Sequence, residues 1–269
     1  METKKDRTVY CCLRDIKGLG FIELILGIFL SCFIIFVCLD VLSSQDKVFH
    51  TQYDISDSQH NIRIAMKKIS SDLMSAGFGR PFWTTINGNS GLDFSVRYSG
   101  GTLDIVGCFE TPKGYLANAV SAGSSTITLS AGGASNFNTT DKNDIKIGDG
   151  ENVKIIGISD DTLMIDADPT LSGIQPLKYS YNANTEVYLV KWVTYYIDNS
   201  DSLKPVLKID EHQGAGARVV AEYVDGINIG ISGNVVDITL TGRTRFPSKT
   251  TGQYIASQVS NKIVMRNVL

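Results

Sequence analysis

Residues 19–42 form an apolar run in which the only charged side chains are Glu23 and Asp40. At 1.5 Å per residue, about 24 residues in a helix span roughly 36 Å, enough to cross the hydrocarbon of a bilayer. A carboxylate at membrane depth costs about 2.5 to 3.5 kcal/mol on insertion scales, so Glu23 reads as a functional group with a specific partner. The flanks orient the run. Lys4, Lys5, Arg7, Arg14 and Lys17 precede it against Glu2, Asp6 and Asp15, and Asp46 follows it. Positive charge stays on the cytoplasmic side, which places the later residues outside. The run is too long for a secretory h-region and no A-x-A site follows, so the hydrophobic segment is expected to remain. The bland alternative is a plain signal anchor. Cys11 and Cys12 precede the run, whereas a lipoprotein cysteine follows it.

The apolar periodicity continues past the run. Val48, Ile55, Ile62, Met66, Ile69, Leu73 and Ala76 recur at helical spacing, with Asp54, Asp57, Arg63, Lys67, Lys68 and Asp72 assigned to a solvated face. Gly77, Gly79 and Pro81 supply the stop. The expectation is one helix of nearly 60 residues, apolar all round over 19–42 and amphipathic over 43–78, packed on whatever follows.

From residue 92 onward Gly, Asp, Asn, Ser and Thr punctuate short β-branched runs. Strands are expected at 102–108, 126–130, 144–147, 153–158, 162–166, 186–197, 205–209, 218–231, 235–241 and 262–266. The stretch 117–178, poor in aromatics, is read as a β-rich insert in a globular domain covering 79–269. The fold class is therefore α+β: a long N-terminal helix packed on an antiparallel sheet that carries an inserted β subdomain.

Charge and cysteine count narrow the function. Without residues 1–18, which hold five bases and three acids, the totals of 25 and 28 fall to 20 and 25, a net charge of −5. Such a surface does not attract polyanions as a whole, and direct DNA binding is not expected. Of the five cysteines only Cys108 lies beyond the apolar run, which leaves no pair for an intramolecular disulfide in the globular part. Cys32 and Cys38 read as apolar filler.

No enzymatic constellation is legible. His50, His60 and His212 lack metal spacing, and no HExxH, GxSxG or GxxxxGK[ST] motif occurs. No catalytic residue, cofactor or metal is expected. The acids Asp141, Asp144, Asp149 and Glu151 could be a calcium site but read as a solvated turn, since they do not fit an EF-hand loop. Residues 242–269 hold Arg243, Arg245, Lys249, Lys262 and Arg266 without an acid. These are exposed strand and loop positions on the bland reading, and a patch that docks an acidic neighbour or touches DNA on the sharper one.

The sequence KGLGFIELILGIFL resembles the type IV prepilin signal, with a base, Gly18, an apolar stretch, and Glu23 fifth after the glycine. It departs from the usual pattern in Leu19, where Phe is common, and in Gly20, where Thr or Ser is. The stretch IRIAMKKISSDLMSAGFGRP resembles the PilW family of minor pilins, with Met74 where Arg is more frequent. YLVKWVTYYID, VVAEYVDGINIGIS, VVDITLTGRTR and NKIVMRNVL follow the order of PilW-like chains, and the similarity hardly touches the insert. The resemblance implies a type IV pilin fold with no cofactor. It implies a leader of residues 1–18 cut by prepilin peptidase between Gly18 and Leu19, N-methylation of Leu19, and a role for Glu23 in assembly register. It further implies the inner membrane as the site before assembly and the pilus fibre after it, with other minor pilins and the major pilin as partners. The runner-up resemblance is the J-type minor pseudopilin of type II secretion, and a third reading is a membrane-anchored adhesin or DNA receptor.

Overall fold

A computed structural model of the chain describes residues 20–249 and 251–267. The first element is a single α-helix, α1 (Phe21–Ser75), 55 residues long. It matches the continuous helix expected from the periodicity and ends where the glycines begin. Gly77 has a φ of 78°, and a β-carbon there would sit 2.4 Å from the Asn267 carbonyl oxygen. Only glycine accommodates both the left-handed backbone and that approach.

Fourteen strands follow among the described residues: β1 (Val96–Ser99), β2 (Thr102–Gly107), β3 (Gly114–Tyr115), β4 (Thr126–Thr128), β5 (Asp144–Ile147), β6 (Asn152–Ser159), β7 (Thr162–Asp166), β8 (Glu186–Leu189), β9 (Lys191–Asp198), β10 (Val206–Asp210), β11 (Arg218–Glu222), β12 (Val224–Ser232), β13 (Val235–Arg243) and β14 (Ala256–Val264). They form three sheets with antiparallel pairings, in the orders β1-β2-β9-β10-β11, β12-β13-β14 and β3-β8-β5-β6-β7-β4. An apolar N-terminal helix followed by antiparallel sheets is the α+β layout expected from the sequence.

The chain divides into two compact units, Met1–Gln52 and Tyr53–Leu269. In the second, Ile62, Met66, Ile69 and Leu73 of α1 share one core with Leu103 and Ile105 of β2, Val193 and Tyr195 of β9, and Val236, Ile238 and Leu240 of β13. Strand β13 shows why: VVDITLTGR alternates, so Val236, Ile238 and Leu240 share one face and are buried while Asp237 takes the other. Each fully buried Ile or Leu is worth about 1.5 to 3 kcal/mol. The insert has its own core around Leu116, Ile145, Ile155, Ile165 and Val187.

Several expectations need correction. The stripe does not bury along its whole length: Val48 is 53% exposed, and burial within α1 starts at Ser58. Asp72, assigned to the solvated face, is buried, accepts a hydrogen bond from the Tyr195 hydroxyl and pairs with Lys68 at 2.8 Å. The expected strand 186–197 is two, since Val190 breaks it and passes the chain from the insert sheet to the five-stranded one. The expected strand 218–231 is broken at Tyr223, whose φ is 59°. The last strand begins at Ala256, six residues before the expected 262. The insert sheet reaches from β3 to β8, and so extends beyond 117–178 at both ends.

Candidate functional site

The N-terminal part of α1 has the least ordinary surface of the chain. Every residue from 20 to 50 is exposed, including Phe21 at 75%, Ile22 at 82% and Phe36 at 71%. Among the described residues α1 is the one helix long and apolar enough to cross a membrane. A continuous apolar cylinder of this length is not left to water, so lipid or other apolar helices must cover it. Glu23 stands in the first turn. A carboxylate there faces the positive end of the helix macrodipole, an attraction worth about 0.3 to 1 kcal/mol at an exposed position. Gly18 and Leu19, the expected cleavage pair, lie outside the described residues.

The five basic candidates of the tail are not gathered into one patch. Arg243 at the end of β13 faces Asp225 at 3.4 Å, donates to the Ser202 carbonyl and stacks over the Tyr254 ring at 4.4 Å. Arg245, in the loop that follows, lies over Phe246 at 5.1 Å, and Lys249 is an exposed position of the same loop. Lys262 pairs with Asp237 across β13 and β14, at 3.7 Å. Since Asp237 and Arg243 are six residues apart on one strand, about 20 Å separates them along β13. Arg266 lies beyond β14, beside Gly77, Lys146 and Asp149.

Three of the four candidate acids of the insert, Asp141, Asp144 and Glu151, are also held by neighbours. Asp144, fully buried, accepts from Trp83 Nε1 at 2.8 Å and the Asn87 amide at 2.6 Å, with Lys154 Nζ at 3.3 Å. Asn87 returns the favour: its Oδ1 accepts the amides of Asn143 and Asp144, and its Nδ2 donates to the Val190 carbonyl. Glu151 accepts from the amides of Lys178 and Tyr179 and from the Tyr181 hydroxyl. Asp141 pairs with Asn138. These carboxylates brace loops, and among the described residues no group of three or more His, Cys, Asp or Glu is placed to hold a metal.

Sequence reasoning missed two polar clusters on the five-stranded sheet. In the first, Lys191, only 5% exposed, bridges Glu110 at 2.6 Å and Glu211 at 2.9 Å, and Arg218 reaches Glu211 at 2.8 Å. Burial works against charge on Glu211, but the hydrogen bonds from Arg218 and Lys191 outweigh it and hold that carboxyl down at about 2. In the second, Asp104 accepts from Trp192 Nε1, the Thr194 hydroxyl and Arg97, while His212 stacks on Trp192 at 3.5 Å and touches Thr194 Oγ1 at 2.8 Å.

A Thr–His–Asp trio invites a nucleophile reading, but proton bookkeeping rejects it. Thr194 has one hydroxyl proton and gives it to Asp104 at 2.6 Å, so the contact with His212 is satisfied by Nε2–H donating to the Thr194 oxygen. A ring nitrogen that donates cannot take that proton as a base. Burial also lowers the His212 pKa, with Asp210 and Asp104 opposing, which keeps the ring neutral near pH 7. Cys108 is no nucleophile either: burial pushes its thiol up to about 12 against the opposing influence of Lys146.

The largest exposed apolar surface among the described residues is thus the first half of α1, with Glu23 in its first turn. Comparison of the chain with protein-family models, with curated proteins and with solved structures found no match.

Proposed function

We propose that the chain is a minor pilin of a type IV pilus, similar to the PilW family, that helps to initiate or assemble the fibre. The reading rests on one observation above others: Glu23 sits in the first turn of a helix that is exposed over residues 20–50 and almost wholly apolar over residues 20–42. The packing of Ile62 to Leu73 on antiparallel sheets supports a pilin fold, with the six-stranded sheet as an elaboration of it. Before assembly the first half of α1 would lie in the inner membrane with the sheets outside. In the fibre, apolar halves of neighbouring subunits would replace lipid, and close packing would supply the cohesion.

Glu23 has a defined task in this scheme. A processed subunit carries a cationic amine at Leu19 into the same apolar core, and an unpaired buried charge costs several kcal/mol. A carboxylate at Glu23 can meet that amine, its own or a neighbour's, and thereby set axial register. Prepilin peptidase, the major pilin and other minor pilins are the partners of this reading; DNA is not. Mass spectrometry of protein from pilus preparations tests it: the expected N-terminus is a methylated Leu19. An N-terminus at Phe21, or beyond Ser43, would contradict it.

A further inference from the structure

The three-stranded sheet ends in β14, which pairs with β13 on one side and with no strand on the other among the described residues. Other edges are shorter or disturbed. β1, β3, β4 and β11 have between two and five residues, and β12, although equally long, shifts register between Val224 and Gly226. β14 runs nine residues in unbroken register, contains no proline and has Lys262 as its single charge. The Lys262 amide donates to the Asn261 side chain at 2.9 Å, but a long regular edge whose other outward amides and carbonyls have no strand partner is a template for another strand unless something covers it.

Beside this edge lies a groove of about 450 Å³ between α1 and β14. Met66, Met74 and Val259 give it apolar walls, Asn261 crosses its floor to Ser70, and Arg63 and Lys67 line one side. No carboxylate lines it, and among the described residues neither Arg63 nor Lys67 has an acid within ion-pair range. The helix and the strand run side by side: Ser58 and Ile62 lie against Gly242, the partner of Ser257, and twelve residues on, Ser70 meets Asn261. Arg63 and Lys67 are therefore spaced along the strand direction by one helical turn, about 5 to 6 Å between β-carbons. That is close to the roughly 6.6 Å between residues i and i+2 of an extended chain.

We propose that β14 and this groove take an extended segment of a partner protein, added as a fourth strand, with carboxylates two residues apart facing Arg63 and Lys67. The surface gives such a segment main-chain pairing along the edge and charge selection from the groove. A second copy of the chain fits poorly. Antiparallel pairing of two β14 strands would bring both Arg63–Lys67 pairs to one seam with no acid between them. The surface lies wholly in the packed unit and does not depend on the pilus reading.

The test uses the full chain in detergent micelles and a labelled Thr/Val peptide of about ten residues with two Asp at i and i+2. At about 50 mM salt the peptide should bind, and Arg63→Glu with Lys67→Glu should weaken it by about tenfold or more. A peptide with its two Asp at i and i+1 places them on opposite faces and should bind worse, as should one with Lys in their place. Bound peptide should also slow hydrogen exchange of those backbone amides in 256–264 that face away from β13. Both cations are exposed, so the double variant should melt as the parent does. Met74→Asp, which puts a carboxylate into the groove from another position, should weaken binding as well. Binding that ignores charge reversal, or that leaves 256–264 unprotected, would overturn the proposal. So would protection of the amides that face away from β13 already present without peptide, whether it accompanies a dimer or disappears on removal of residues 1–18.

Discussion

The two halves of α1 are built from similar apolar residues and have opposite fates. Ile34 is 54% exposed and Ile69 is fully buried, though both stand in the same continuous helix. The difference is not in the helix. Around Ile69 the chain brings its own sheets, with Ile105, Tyr195 and Ile238 in one core, whereas residues 20–50 are all exposed among the described residues. An exposed apolar surface of this size is a demand for a partner.

The sharpest way to break this contrast is to place the same charge in each half. Ile69→Asp leaves a carboxylate among Leu73, Leu103 and Tyr195, and should cost more than about 4 kcal/mol or prevent folding. Ile34→Asp should leave the thermal midpoint of the sheets within a degree or two, about the scatter expected for a site with no tertiary contact. Melting curves of the two variants that coincide would show that the buried half is not where the structure places it.

A second contrast sets the insert against the main core. Its attachment runs through a buried charge: Asp144 holds Trp83, the Asn87 amide and Lys154, and Asn87 holds Val190 at the point where the chain changes sheets. Asp144→Ala strips three donors of their acceptor and should destabilise by about 3 to 5 kcal/mol. Urea unfolding followed by the fluorescence of Trp83 in a Trp192→Phe background measures it, and a loss below about 1 kcal/mol would mean that the cluster bears little of the attachment.

What was legible in the sequence follows the range of the interactions. The continuity of α1, and its end at Gly77 and Gly79, depend on spacing and on local backbone freedom, so a window of a few turns reveals them. The alternating strands 144–147 and 162–166 stand as expected for the same reason. The breaks at Val190 and Tyr223 were illegible, because each interrupts a run whose local pattern is unbroken β. What divides 186–197 is a tertiary event, the capture of the Val190 carbonyl by Asn87 and of its amide by the Asp144 carbonyl. Asp72 looked solvated because its partner, Tyr195, is 123 residues away. The groove beside β14 was equally hidden, since Arg63 and Lys67 sit on an ordinary polar helix face until β14 is placed next to them.

Smaller effects sharpen the picture. Tyr195→Phe removes the hydroxyl that Asp72 accepts while Lys68 remains in place, and should cost about 1 to 3 kcal/mol. The Glu211 carboxyl, held at about 2 in the folded chain against an ordinary 4.5, contributes stability that is present above pH 4.5 and lost as pH falls toward 2. Glu211→Gln should therefore flatten the acid limb of the stability curve in that window. An unchanged limb would mean that Lys191 and Arg218 do not hold the charge in solution.

Glu23→Ala should have the smallest effect on folding and the most specific effect on function. The side chain takes no part in the packed core, and its removal makes insertion into a membrane easier. The variant should therefore be as stable and as membrane-bound as the parent. The decisive measurement is the number of pili, and the amount of this subunit within them, when the Glu23→Ala chain is the only copy in cells that lose pili on deletion of the whole gene. A marked fall in both, with normal protein levels, is the result the account predicts. Normal piliation with normal incorporation would contradict it.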